Sequence, residues 1–300
     1  MPETAIVIGN YEGEAFLPEC LASLGRQTLT PKEVLVVDAC SRDRSLAVAE
    51  GLGTRVLVVP NRGLGFLYNR GVEAVSAPYV LLANTDVSFD ERCLELLVAA
   101  LEEDASRFAA DATQLDWDGR NVVHAHTTLR RGRLVREYFP GLHLDPRTPA
   151  DRVLPTVNAN GAAMLVRREF FLELGGFDET FFMDWEDLDL CWRAWLLGRP
   201  TVYVPEARLR HRVGAVTNEA VAPRRAASSH HNIVRFALKC LPAGAAATVV
   251  FGELLRLPRH RSAIARGLAQ AARELPEILR LRRQTRPNRS LLDWMLAGQP

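Results

Sequence analysis

The chain opens with apolar runs of strand length separated by longer stretches of helical period. Strands are predicted at Ala5–Gly9, Glu33–Val37, Arg55–Val59 and Tyr79–Ala83. Helices fit the gaps, near Ala15–Arg26, Arg44–Leu52 and Leu67–Val75; in the first of these Phe16, Cys20, Leu21 and Leu24 share one stripe. Continuous apolar strands alternating with amphipathic helices are the signature of βαβ units around a mostly parallel sheet, so the fold class is α/β. From Thr113 to Asp151 the pattern weakens to hairpins and loops, with turn signals at Asp118-Gly119 and Arg131-Gly132. Thr156–Val166 reads as a further strand, and Phe170–Leu174 as a short helix stopped by Gly175-Gly176. A stronger helix is predicted from about Asp184. Leu188, Cys191, Trp192, Trp195 and Leu196 keep its i, i+3, i+4 spacing, and Gly198 with Pro200 closes it. Beyond Val213 three amphipathic helices follow, at Ile233–Leu241, Thr248–Leu257 and Ser262–Leu281.

Composition adds little to this picture, with 48% apolar and 24% charged residues over 300 positions, as in an ordinary globular protein. No window reaches the roughly 18 apolar residues of a spanning helix, and the first residues do not resemble a signal peptide, so a cytoplasmic location is expected. Five dispersed cysteines without a C-x-x-C pair argue against a disulfide framework and a zinc cluster. Charge is more informative. The net value of +1 conceals 17 Arg/Lys against 5 Asp/Glu in residues 207–300, and 20 against 31 before them. The basic end is expected either to lie on the inner face of a cell membrane or to mediate a homodimer; nucleic acid is not expected, because no recognition module accompanies the charge.

In an open parallel sheet, ligands gather at the carboxyl ends of the strands. The polar residues there are Asn10 to Glu12, Asp38, Asn61, and Asn84-Thr85-Asp86. A dinucleotide or P-loop glycine cradle is absent after the first strand, which reads GNYEGEAF. Bound phosphates would then need a divalent cation, Mg2+ or Mn2+, held by a carboxylate. Asp86 suits that task, and equally suits an N-cap for a helix starting near Asp90. In FFMDWEDLDLCWRA, Asp184, Glu186 and Asp187 fit helix capping, yet Trp185 and Phe181 to Met183 give them an aromatic surround, and a carboxylate at a helix N-terminus stays ionised as a general base must.

These segments together resemble the family 2 glycosyltransferases of the GT-A fold, above all the bacterial rhamnosyltransferase-like branch. AIVIGNYEGEAF is similar to the family's opening strand, EVLVVDACSRDRS to its second strand and loop, and NRGLGFLYNRG to its asparagine and glycine-rich stretch. YVLLANTDV is similar to the metal-binding segment, NGAAMLVRREFFLELGGFDETFF to the donor-side segment, and MDWEDLDLCWRAWLLG to the E-D-x-D-L-x-x-R segment. The resemblance covers about residues 4–215. It implies a catalytic domain over 1–215, with a nucleotide-sugar half to about 112 and an acceptor half from 113, and a basic helical extension over 216–300. It further implies nucleotide-sugar contacts from Asn10, Glu12, Asp38, Asn69 and Asn84, a metal at Asp86 with His211 beside it, an acceptor site at Asp184, Trp185 and Glu186, and Asp187 as the base. The reaction implied is inverting transfer from a nucleoside-diphosphate sugar, dTDP-rhamnose first and a UDP-sugar otherwise, to a glycan or lipid-linked acceptor hydroxyl. Three positions depart from the family pattern: Phe66-Leu67-Tyr68 before Asn69, Ala39-Cys40 where relatives often carry Asn-Gly, and Thr85 in place of a common proline. A sugar-nucleotide pyrophosphorylase, which would need a glycine-rich loop with a basic residue after the first strand, and a catalytically idle GT-A scaffold are the rival readings.

Overall fold

The computed structural model describes residues 2–129, 152–214, 222–257 and 261–297. The Arg131-Gly132 turn and most of the poorly patterned stretch lie outside the described residues. Continuous apolar character makes buried strands of β1 (Thr4–Asn10), β2 (Glu33–Asp38), β3 (Arg55–Val58) and β4 (Tyr79–Asn84), with helices α1 (Leu17–Gly25), α2 (Ser45–Gly51) and α3 (Leu64–Ala74) between them. They pair in parallel in the order β3-β2-β1-β4. The sheet then turns mixed. After β5 (Val87–Phe89), α4 (Cys93–Glu102), β6 (Ala109–Leu115), β7 (Val122–His124) and β8 (Leu154–Pro155) comes β9 (Ala163–Arg167), which lies antiparallel to both β4 and β6. The helices α5 (Arg168–Glu173) and α6 (Glu186–Leu196) lead to β10 (Thr201–His211), parallel to β6 and antiparallel to β5.

Strand direction decides what meets at the edge. Because β9 enters against β4, its first residue, Ala163, pairs with Ala83 at the carboxyl end of β4. Because β10 runs parallel to β6, His211 ends at the same edge and pairs with Val87, next to Asp86. The expected strand over Thr156–Val166 is therefore only half correct. Residues 156–162 form a loop along this edge, where Asn158, Asn160 and Gly161 replace the apolar run a buried strand needs.

Alternation gives the sheet two cores. Ile6, Ile8, Leu81 and Ala83 face α1 and α4, while Ala5, Val7, Val80 and Leu82 face α3 and α6. Gly71 lets α3 lie close to the sheet, since a Cβ there would come within 2.2 Å of the Val7 side chain. A third core joins α6 to the C-terminal helices α7 (Ala222–Cys240), α8 (Ala243–Arg256), α9 (Arg261–Arg273) and α11 (Arg289–Leu296), while α10 (Leu275–Thr285) packs on α7. Here Phe181, Leu188 and Trp192 pack on Ile233, Phe236 and Ala237. The helix expected over Ser262–Leu281 is two helices, parted at Glu274 where Pro276 opens α10. Among the described residues no helix is long and apolar enough to cross a membrane.

Candidate active site

A cleft of about 410 Å3 opens at the shared strand edge. Asn10, Asn84, Asp86, Asp184, Trp185, Glu186, Asp187 and His211 all line it. Nucleotide-sugar candidates Asp38, Glu12 and Asn69 do not. Asp38 is fully buried; its carboxylate accepts from Asn10 Nδ2 and from the backbone N–H and hydroxyl of Ser41, so it braces Asn10 from behind. Glu12 accepts from the Arg42 N–H at 2.8 Å and ties the loop after β1 to the loop after β2. Asn69 clasps the backbone of Phe177 through both ends of its amide and donates to Glu179.

Asp86 caps no helix, because β5 follows it and α4 begins only at Cys93. Its side chain is 4% exposed, and Oδ1 has no hydrogen-bond partner. A buried carboxylate oxygen without a donor is costly unless a cation or ligand completes it. His211 Nε2 stands 3.5 Å from that oxygen. The other ring nitrogen, Nδ1, donates to Gln114 Oε1 at 2.8 Å, which leaves the Nε2 lone pair free to ligate. One carboxylate oxygen beside one imidazole nitrogen suits Mn2+ or Mg2+. Among the described residues no three His, Cys, Asp or Glu side chains are grouped to hold a metal by themselves.

The acidic segment is built differently. Helix α6 starts at Glu186 rather than near Asp184, and its N-cap, Trp185, makes no side-chain cap. Asp184 and Trp185 both adopt left-handed backbone, φ 67° and 75°. Two consecutive non-glycine residues in that region are strained and need outside support. Asn232 of α7 supplies it, donating from Nδ2 to the carbonyls of Met183 (2.9 Å) and Asp184 (2.8 Å). Arg225 of α7 grips the Asp184 carboxylate with two bonds of 2.8 Å and itself lines the cleft. On the opposite wall Gly63, φ 108°, lies so close that a Cβ would sit 2.3 Å from the Phe182 carbonyl oxygen, a place only glycine fits.

Asp187 is partly buried. Its carboxylate accepts from the N–H of Gly161 (3.2 Å) and of Leu188 (2.7 Å). Burial raises its pKa; those two N–H groups and His124 oppose the shift, and the net direction is upward. Glu186, 6% exposed with Oε2 unpaired, is pushed up to about 8, by burial first and then by the charge of Asp187. Glu186 thus holds a proton at neutral pH, and the cluster carries less charge than its sequence suggests. Behind the cleft, Asp111 pairs with His124 at 2.7 Å and accepts from the Asn160 N–H, fixing the 156–162 loop. Burial opposes charge on His124, yet the Asp111 carboxylate overcomes it and raises the imidazole pKa.

The remaining charges of the acidic helix have structural work. Arg193 pairs with Asp189 at 2.8 Å and donates to the carbonyls of Leu174 and Gly176, each at 2.7 Å. Lys239 of α7 reaches Asp189 and Asp178, and Arg235 reaches Asp178 and Glu274. Sequence reasoning missed Asn232, Arg225 and Lys239, and also Tyr68, whose hydroxyl joins Asn84 Oδ1 (2.9 Å) to the Gly161 carbonyl (2.8 Å). Tyr68 sits in the stretch that departs from the family pattern, which was the available signal. At another departure, Cys40 keeps the left-handed conformation, φ 55°, that glycine adopts most readily.

Comparison with known proteins finds relatives by sequence and by fold. The family model for glycosyl transferase family 2 matches residues 5–174. The N-acetylglucosaminyl-diphospho-decaprenol L-rhamnosyltransferase of Mycobacterium tuberculosis is 30% identical over 249 residues, covering 75% of this chain and 80% of its own length. Among solved structures, GalNAc-T7 with UDP, GalNAc and Mn2+ superimposes with a TM-score of 0.71 at 16% identity, over 99% of this chain and 56% of that one. The mannosyltransferase PcManGT from Pyrobaculum calidifontis, in complex with GDP-Man and Mn2+, gives 0.59 at 17% identity over 98% and 83%. These likenesses show the GT-A fold. With the family model spanning more than half of the sequence and a relative aligned over three quarters of it, the chain belongs to glycosyl transferase family 2.

Proposed function

We propose that this glycosyltransferase moves a sugar from a nucleoside diphosphate to an acceptor hydroxyl with inversion, Asp187 serving as the general base. One observation carries the reading: the unpaired oxygen of Asp86 and the carboxylate of Asp187 line one cleft large enough for a sugar nucleotide. Asp86 and His211 would hold Mn2+ or Mg2+, with donor phosphates and water completing the shell. When bound, the metal supplies electrostatic stabilisation of the departing diphosphate. Asn10 and Asn84 line the donor side, with Asp38 and Tyr68 fixing them. On the other side, Asp184, Trp185 and Glu186 frame the acceptor. Asp187, whose pKa burial raises while the N–H groups of Gly161 and Leu188 favour its charged form, takes the acceptor proton as the new bond forms. No group of the chain need form a covalent intermediate, so the anomeric centre inverts.

The mycobacterial relative's name makes dTDP-rhamnose the first donor to try and a polyprenyl-diphosphate saccharide the first acceptor. Transfer is assayed with dTDP- and UDP-sugars, with and without Mn2+ or Mg2+, and the product anomer is read by NMR. Asp187→Asn is expected to lower kcat by about 10^2 to 10^4-fold while donor binding survives. Unchanged turnover in that variant removes Asp187 as the base. An unaltered chain that binds donors and never turns over favours the scaffold reading.

A further inference from the structure

Helix α8 is apolar on two faces, with Ala245, Ala246 and Val249 buried in the third core and a second apolar stripe outside. Its one acidic residue, Glu253, points inward, 1% exposed, and meets His230 at 2.6 Å and Arg256 at 3.6 Å. Its outer face carries Ala247, Phe251, Leu254 and Leu255 at i, i+4, i+7 and i+8, with Val250 half-exposed beside them. Phe251 is 53% exposed, Leu254 45% and Leu255 61%. The described outer face of this helix holds no acidic side chain. Scattered exposed leucines need no explanation, but a continuous helical stripe does.

The surroundings state what would cover it. Residues 243–286 carry nine arginines and three acids. Of those acids Glu253 is buried, and Glu274 is engaged by His231 and Arg235. Arg266 and Arg273 are exposed on α9, the helix packed beside α8, and Arg280 and Arg283 are exposed on α10. An apolar stripe on a helix packed beside one that carries exposed cations matches a surface that is itself apolar beneath an anionic layer. A second copy of this chain would instead bring like charges together. We infer that the α8 face, with the arginines of α9 and α10, docks peripherally on an anionic lipid bilayer.

The test needs no substrate, so its outcome is independent of the proposed reaction. The full chain is sedimented with vesicles of phosphatidylcholine alone, or with about one third phosphatidylglycerol, at about 0.1 M and about 0.5 M salt. Binding is expected to the anionic vesicles and to weaken strongly at high salt. The triple substitution Phe251→Ser, Leu254→Ser, Leu255→Ser is expected to lower the partition coefficient by about tenfold or more. The pair Arg266→Glu and Arg273→Glu, which leaves every core residue in place, is expected to weaken anionic binding by a similar factor. Equal partitioning of the native chain and either variant overturns the inference, as does a native chain that leaves anionic vesicles untouched. A dimer in sedimentation velocity that the triple substitution splits also overturns it, since the face would then belong to a second copy.

Discussion

The two walls of the cleft are held in opposite ways. On the strand-edge wall, Asn10 and Asn84 end adjacent parallel strands, with Asp38 bracing Asn10 from behind, and their partners lie on the same sheet edge or the helices beside it. On the acidic wall, the strained Asp184-Trp185 pair is fixed by Arg225 and Asn232, some 40 to 50 residues further along, and α6 is fixed through Lys239. A sheet edge makes one wall, whereas the other wall is held by contacts from the C-terminal helix α7. The helical extension is therefore part of the site's construction.

The sharpest way to break this asymmetry is Lys239→Met. It leaves the buried Asp178 and Asp189 carboxylates one cation short, and should cost about 3 to 5 kcal/mol in urea unfolding. Burial opposes charge on Asp178, yet Lys239 and Arg235 outweigh it and hold its carboxyl well below the usual carboxylate range. Its contribution is present above that range and is lost as pH falls below it, so the acid limb of stability should flatten in Asp178→Asn. Next in size, Asn232→Ala frees the Met183 and Asp184 carbonyls and should cost about 2 kcal/mol. It should also lower kcat with little change in donor affinity measured by calorimetry. An equal loss of donor binding would show that the walls are not independent.

Glu186 sharpens the comparison by pH. Its folded pKa, about 8, exceeds the unfolded carboxylate value, so the native state holds a proton the unfolded chain has released. Stability should then fall as pH rises from about 4.5 to about 8. Glu186→Gln should remove about 1 to 2 kcal/mol of that slope in thermal melts, after allowance for coupling to Asp187. The smallest effect is expected in the loop after β2, behind the strand-edge wall. Cys40→Gly relieves a left-handed residue and should stabilise by less than about 1 kcal/mol, against the loss of its thiol contact with the Val59 carbonyl.

How much was legible follows the same division. The runs that became β1, β2 and β4 were read to within one residue at each end, because strands buried on both faces are continuous apolar segments. Residues 201–211 passed unassigned, since Pro205-Glu206 interrupts the run where β10 carries an irregularity between Val204 and Arg208. The 156–162 loop looked like strand because small residues lining a cleft resemble those inside a sheet. Asn69 stood in a family motif, yet its amide is spent on Phe177. The anchors on α7 gave one faint sign: Asn232, Arg235 and Lys239 recur at i, i+3 and i+7 among Ile233, Val234, Phe236 and Ala237. A polar stripe inside an apolar helix marks partners, but sequence does not say which.

Gly63 carries a lesson for redesign. Because the Phe182 carbonyl occupies the space where its side chain would grow, the loop after β3 and the segment before α6 are fitted as one hinge-like seam. A graft that imports a new loop with alanine or serine there would wedge the acidic segment outward, and Asp187 with it. The loop can be rebuilt only by splicing on either side of that glycine.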